Sequence, residues 1–206
     1  MAAGSISALE FLNQAKQFIN TSQKNRDTWQ LVISPHDKND VYICQRVTKN
    51  VAQQSAEPVS CLPQDVQEMG ENITDDDKSC LDTAPVLSET ISYEYHIVYS
   101  CSYAVPVLYF TVSNSKGKLL SLDDVWSMVP DYYQQRLQDE RWTFLTQQEH
   151  PILGRPFFQL HPCHTADLMK QVNSKLPQQN YLITWLSTVG PVVGLTLPLY
   201  YGVECT

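Results

Sequence analysis

Apolar residues near the start of the chain recur at helical spacing. Ala8, Leu9, Phe11, Leu12, Ala15, Phe18 and Ile19 form one stripe, which predicts a helix over Ser7 to Ser22. Ser7 with Glu10 three residues later has the form of a capping box, in which each side chain satisfies a free backbone N–H of the first turn. The period then shortens to two. Trp29 to Ile33 and Val41 to Val47 read as strands joined by the turn-like HDKND. Ile91 to Ser100 is dense in β-branched and aromatic residues, and Val105 to Val112 follows after a short break. Pro106 has no N–H to give to a ladder, which places this fourth strand at an edge or puts Pro106 at its start. Asn114 to Gly117 is a turn, and Ser121 is placed to cap a helix beginning at Leu122, with 131–140 continuing helical after Pro130. Thr143 to Gly154 shows no clear period, Phe157 to Leu160 reads as extended, Thr165 to Val172 as a short helix, and Tyr181 to Val189 as a helix closed by Gly190-Pro191. Strands joined by short links imply an antiparallel meander, so the predicted class is α+β: an N-terminal helix, a four-stranded antiparallel meander, a cysteine loop, then C-terminal helices.

One segment breaks the pattern. Between residues 57 and 82 there are eight acids and a single base, Lys78, in a formal total of −8 for the chain. The rest carries 13 bases and 14 acids and is close to neutral. That leaves no basic stripe of the kind nucleic acid requires. Residues 1–206 are therefore expected to form a single domain, with 55–88 a flexible acidic insertion within it.

Residues 176–203 carry no Asp, Glu, Lys or Arg over 28 positions, long enough to cross a bilayer. Pro177, Gly190, Pro191, Gly194, Pro198 and Gly202 interrupt that run, so a buried helix with an extended tail is expected rather than a transmembrane segment. Six cysteines (Cys44, Cys61, Cys80, Cys101, Cys163 and Cys205) form no CxxC pair. The first residues lack a charged stretch followed by an apolar one, so no secretory signal is read, and a cytoplasmic location with reduced thiols is expected.

Cys163 differs from a buried structural thiol. It lies in FQLHPCHTADLM, between His161 and His164, after Pro162, just ahead of a predicted helix that Thr165 would cap. A helix N-terminus stabilises a thiolate, and either histidine can supply positive charge or take a proton. His161, Cys163, His164 and His150 also offer donors for zinc. Adjacent Cys163 and His164 fit one tetrahedral ion poorly, and no second cluster completes the set. A papain-like thiol hydrolase lacks its local signatures here. His96 reads as a hydrogen-bonded sheet histidine, and Tyr93, Tyr95, Tyr99, Tyr103 and Tyr109 as packing residues, any of which would be chemically useful if it faced Cys163.

Three blocks resemble a known family: YEYHIVYSCSYAVPVLYF (93–110), TQQEHPILGRPFFQLHPCHT (146–165) and YLITWLSTVGPVVGLTLPL (181–199). They are similar to the autophagy-related protein 10 family, the ubiquitin-conjugating-enzyme-like proteins of autophagy. The resemblance is close across 89–199 and weaker before residue 50. It implies a ubiquitin-conjugating-enzyme-like fold. It also implies that a ubiquitin-like modifier, autophagy-related protein 12, is taken as a thioester from an activating enzyme, autophagy-related protein 7. The modifier would then pass to a lysine of autophagy-related protein 5. The family's HPC cysteine falls on Cys163, with His161 and His164 as auxiliary candidates, and the chemistry requires no cofactor and no metal. Ordinary ubiquitin-conjugating enzymes carry His-Pro-Asn ahead of the cysteine. None exists here, so the oxyanion donor is unassigned, with Asn114, His150 and the sheet tyrosines as candidates. The alternative is a non-catalytic binding module on the same fold.

Overall fold

The computed structural model describes residues 4–34, 40–52, 88–137, 144–175 and 180–202. The first helix, α1 (Ala8–Lys24), is capped as its sequence requires: Ser7 accepts from the Glu10 N–H, and the Glu10 carboxylate takes the Ser7 N–H. Four strands follow, β1 (Gln30–Ile33), β2 (Val41–Ala52), β3 (Ser88–Ser100) and β4 (Val105–Asn114), then the short helices α2 (Leu122–Ser127) and α3 (Asp131–Leu137). A second hairpin, β5 (Leu145–Glu149) and β6 (Pro156–Leu160), leads into a 3₁₀ turn (Pro162–His164). Beyond it lie α4 (Thr165–Lys175) and α5 (Tyr181–Val189).

The sheet has six antiparallel strands in the order β1-β2-β3-β4-β6-β5, so the α+β class holds and the four-strand meander gains a hairpin. The pattern of Thr143 to Gly154 concealed β5 because that strand is an edge. Leu145 alone is buried, Thr146 is half-buried, and Gln147 to Glu149 are exposed polar residues. Of the two readings of Val105 to Val112, the edge is overturned, because β4 lies between β3 and β6, and the other holds, because Pro106 is the second residue of the strand. Its proline is tolerated because β6 pairs only with Tyr109 and Phe110, four and five residues in from the beginning of β4, and never reaches Pro106.

Alternation sorts the sheet into two faces. On one, rows such as Ile43–Ile97–Leu108 and Gln45–Tyr95–Phe110–Phe158 meet the helices. Phe11, Phe18, Trp185, Leu186 and Tyr201 complete that core. Each fully buried leucine there contributes roughly 2 kcal/mol. Gln14 of α1 accepts the Leu182 N–H, and Gln17 accepts from Asn180, so α1 caps the start of α5. Trp185 and Leu186 of the uncharged run are buried as expected, and Val189 is half-buried. Among the described residues no helix is long and apolar enough to cross a membrane.

The second face carries a smaller cluster, Tyr42, Val98, Val107, Tyr109 and Phe157, covered by Ile152 and Leu153 from the turn between β5 and β6. His96 is buried in it and fully bonded, which agrees with its reading as a sheet histidine. The acidic segment lies outside the described residues except at its margin, where Ser88 already belongs to β3 and pairs with Ala52.

Candidate active site

Strand β6 pairs Gln159 with Tyr109 and Phe158 with Phe110. Continuing that register would set Pro162 opposite Pro106. Neither proline has an N–H, so the ladder cannot continue and the chain leaves the sheet. His161 makes the last sheet-like bond, from its N–H to the Phe144 carbonyl at 2.9 Å. The turn Pro162–His164 follows, with Pro162 buried and Cys163 exposed.

His161 caps this turn. Its backbone is extended (φ −67°, ψ 130°), Pro162 occupies the first helical position, and its Nδ1 accepts the Cys163 N–H at 3.3 Å. A serine or aspartate does the same at ordinary helix starts. An acceptor at Nδ1 puts the proton of the neutral ring on Nε2, so His161 is left with an N–H donor at its outer edge. The Thr165 N–H bonds the Pro162 carbonyl, and the turn passes straight into α4. Thr165 is thus the first residue of that helix, not its cap. Cys163 sits inside the first coil, with its own amide already occupied.

The turn between β3 and β4 brings Tyr103 to the same place. Its ring meets His161 edge-on at 5.8 Å and 80°, and it is 44% exposed. Of the five tyrosines considered, the other four are spent on packing. Tyr95 donates to the Val193 carbonyl, Tyr99 to the Ile6 carbonyl, Tyr109 accepts from Gln159, and Tyr93 stacks on Tyr95. His164 is exposed, on the solvent side of the turn.

Two other candidates are placed elsewhere. Asn114 ends β4, whereas the cysteine turn lies beyond its beginning, roughly 30 Å away at the rise of a strand. Its Oδ1 accepts the N–H groups of Lys116 and Lys118 and so shapes a turn. His150 lies at the far end of the β5–β6 hairpin, buried against His96. That separation removes it from any ligand set with Cys163 and from the oxyanion. Among the described residues no group of three or more His, Cys, Asp or Glu is arranged to hold a metal ion.

The capping role of His161 was not foreseen from sequence. Its signal was an acceptor side chain followed by proline at the first position of a turn, a pattern usually sought with serine or aspartate.

Residues 10–200 match the family model described as autophagocytosis associated protein, active-site domain. The human ubiquitin-like-conjugating enzyme ATG10 is 45% identical over 204 residues, which span 93% of this chain and 90% of the human one. The chain belongs to the ATG10 family. An ATG10 of Arabidopsis thaliana is 46% identical over 119 residues, covering 54% of this chain and 53% of its own. The ATG10 of Dictyostelium discoideum is 38% identical over 121 residues, covering 52% and 53%. ATG10 proteins are ubiquitin-like-conjugating enzymes, and this α+β chain is an ATG10-type conjugating transferase.

Proposed function

We propose that Cys163 is the nucleophile of this conjugating enzyme and that it carries a ubiquitin-like modifier as a thioester. The modifier is autophagy-related protein 12, delivered by autophagy-related protein 7 and passed to a lysine of autophagy-related protein 5 in the cytoplasm. The observation that carries the reading is the exposed thiol of Cys163, held on a proline-stiffened turn whose amide His161 binds. An exposed sulfur of this kind is open to attack on a modifier's C-terminal thioester.

In the first step the Cys163 thiolate attacks the carbonyl carbon of the incoming thioester. A C–S bond forms, the old C–S bond breaks, and the activating enzyme's thiolate leaves. In the second step a neutral lysine amine attacks the same carbonyl. The tetrahedral oxyanion collapses to an amide, the Cys163 thiolate departs, and the amine's extra proton passes to solvent or to a nearby base. Each preorganised donor to that oxyanion is worth roughly 3 kcal/mol. The Cys163 N–H is already bound by His161, so the donors proposed for the oxyanion are the Nε2–H of His161, the Tyr103 hydroxyl and the backbone N–H that follows Cys163. His161 and Tyr103 are accordingly assigned as auxiliaries, with His164 on the open side of the sulfur.

Reconstitution with activating enzyme, modifier and ATP, resolved with and without reductant, tests the assignment. Cys163→Ala is expected to abolish the reductant-sensitive adduct, and Cys163→Ser to give a slower oxyester that survives reductant. Alanine at Cys44, Cys61, Cys80, Cys101 or Cys205 is expected to leave the adduct intact. An adduct that persists in Cys163→Ala overturns the proposal. A wild-type chain that forms none, yet binds modifier or acceptor, would be a non-catalytic module on the same fold.

A further inference from the structure

The segment ahead of α1 touches both sides of the cysteine turn. The Ile6 N–H donates to the Ala104 carbonyl at 2.9 Å, and the Ile6 carbonyl accepts from Tyr99 at 2.9 Å. Ala104 has a positive φ of 53°, a conformation an L residue holds only when its surroundings enforce it. Its neighbour Tyr103 is the residue that meets His161. Two residues earlier, the Gly4 carbonyl accepts the Tyr181 hydroxyl at 2.8 Å. Gly4 itself lies so close to α4 that a Cβ there would stand 2.0 Å from the Ala166 carbonyl oxygen, and its φ is +98°. No other residue type fits that contact. One short stretch therefore holds the β3–β4 turn through Ala104 and the first turn of α4 through Ala166. These are the two segments between which the cap of Cys163 is set.

We infer that Gly4 to Ile6 are a positioning strap for the cysteine turn. The strap fixes Tyr103 against His161, and so keeps the His161 Nδ1 on the Cys163 amide and the sulfur in one orientation. The inference rests on the reading of Cys163 as nucleophile. The strap touches no reacting atom and acts only through the turn and α4. Its two hydroxyl donors, Tyr99 and Tyr181, are anchored in β3 and α5, so the framework of the core sets the position of the strap.

The test removes only those two bonds. In Tyr99→Phe/Tyr181→Phe the rings and their packing remain. Tyr200→Phe deletes a comparable hydroxyl bond, to Asp27 at 3.0 Å, away from the strap and serves as the control. Two rates are read on the full chain. One is hydrogen exchange at the Cys163 amide, and the other is single-turnover discharge of preloaded thioester to free lysine. Misplacing a reacting group by a fraction of an ångström costs roughly tenfold or more in rate. The double variant is therefore expected to exchange the Cys163 amide faster and to discharge about tenfold more slowly, with Tyr200→Phe matching wild type in both. Tyr181→Phe alone should lie between, and it stands in if the double variant folds poorly. Wild-type values for both rates in the double variant would overturn the strap. So would a loss of thermal stability with neither rate changed, since that is a merely structural role. If wild type forms no thioester, the reading of Cys163 fails instead, and amide exchange alone decides the strap.

Discussion

His96 Nδ1 lies 3.0 Å from His150 Nε2, both rings buried on the second face of the sheet. His150 Nδ1 accepts the N–H groups of Ile152 and Leu153, so its proton is on Nε2 and is donated to His96. His96 must then carry its own proton on Nε2, which it donates to the Glu94 carboxylate at 3.1 Å. Burial works to raise the Glu94 carboxyl, but Arg46, His96 and Arg155 together hold it below its usual range. Every ring nitrogen is used, and both rings are neutral by design of the network.

That arrangement is expected to make the protein acid-sensitive. Burial first, then the repulsion between the two rings once both are protonated, pushes His150 down to about 4, and burial likewise lowers His96. The unfolded chain binds these protons near pH 6.5, so stability is full above that pH and falls as pH drops toward 4. The His150 part of the loss is about 3 kcal/mol in total. Urea midpoints between pH 7.5 and 4.5 check it. His150→Phe is expected to be less stable at pH 7.5, because the Ile152 and Leu153 amides lose their acceptor, but to show a flatter pH dependence. An unchanged slope in that variant would place the acid sensitivity elsewhere.

His161→Ala removes the acceptor of the Cys163 amide. The loss of a helix-type cap costs about 1 kcal/mol locally. Modifier charging and discharge are expected to slow together, by roughly tenfold. His161→Asn restores a capping oxygen and should recover stability more fully than rate, because asparagine does not reproduce the ring edge that meets Tyr103. Thermal melting and single-turnover charging, measured on both variants, separate the two contributions.

Trp185 is buried and belongs to the uncharged C-terminal stretch. Trp185→Ala is expected to destabilise the fold by about 3–5 kcal/mol. A chain ending before Tyr181 would lack α5 altogether and is expected to be insoluble. Denaturant unfolding of the first and solubility of the second would show whether α5 is core, and a soluble, cooperatively folding truncation would contradict it.

Ala52 and Ser88 are register partners at the ends of β2 and β3, so the segment between them starts and finishes at one place. We propose that the acidic stretch 57–82 is an insertion outside the core. Its deletion is expected to leave the melting temperature unchanged or to raise stability by up to about 1 kcal/mol, through the shorter loop to be closed. Calorimetry of the deleted chain would reveal packing of that segment as a fall in melting temperature.

Local chemistry alone determined α1, its capping box, four strands, the turn at Asn114 and the exposed character of Cys163. Each follows from side-chain period, from proline and glycine, or from an acceptor placed beside a free amide, and none needs a distant partner. Strand β5 was illegible because an edge strand buries one residue in five, which leaves no alternation to read. Whether β4 was an edge or merely began at Pro106 was undecided for a related reason. Proline excludes a ladder bond at one residue, but whether a neighbouring strand extends that far is set by the register of Tyr109 and Phe110 with β6. The same register put Asn114 and His150 far from the sulfur, although both have suitable chemistry. It also brought Tyr103 to His161 across 58 residues of sequence. Residue type and local spacing limit what each group can do. Which of them meet is decided by strand pairing, because a shift of one residue turns every side chain to the other face.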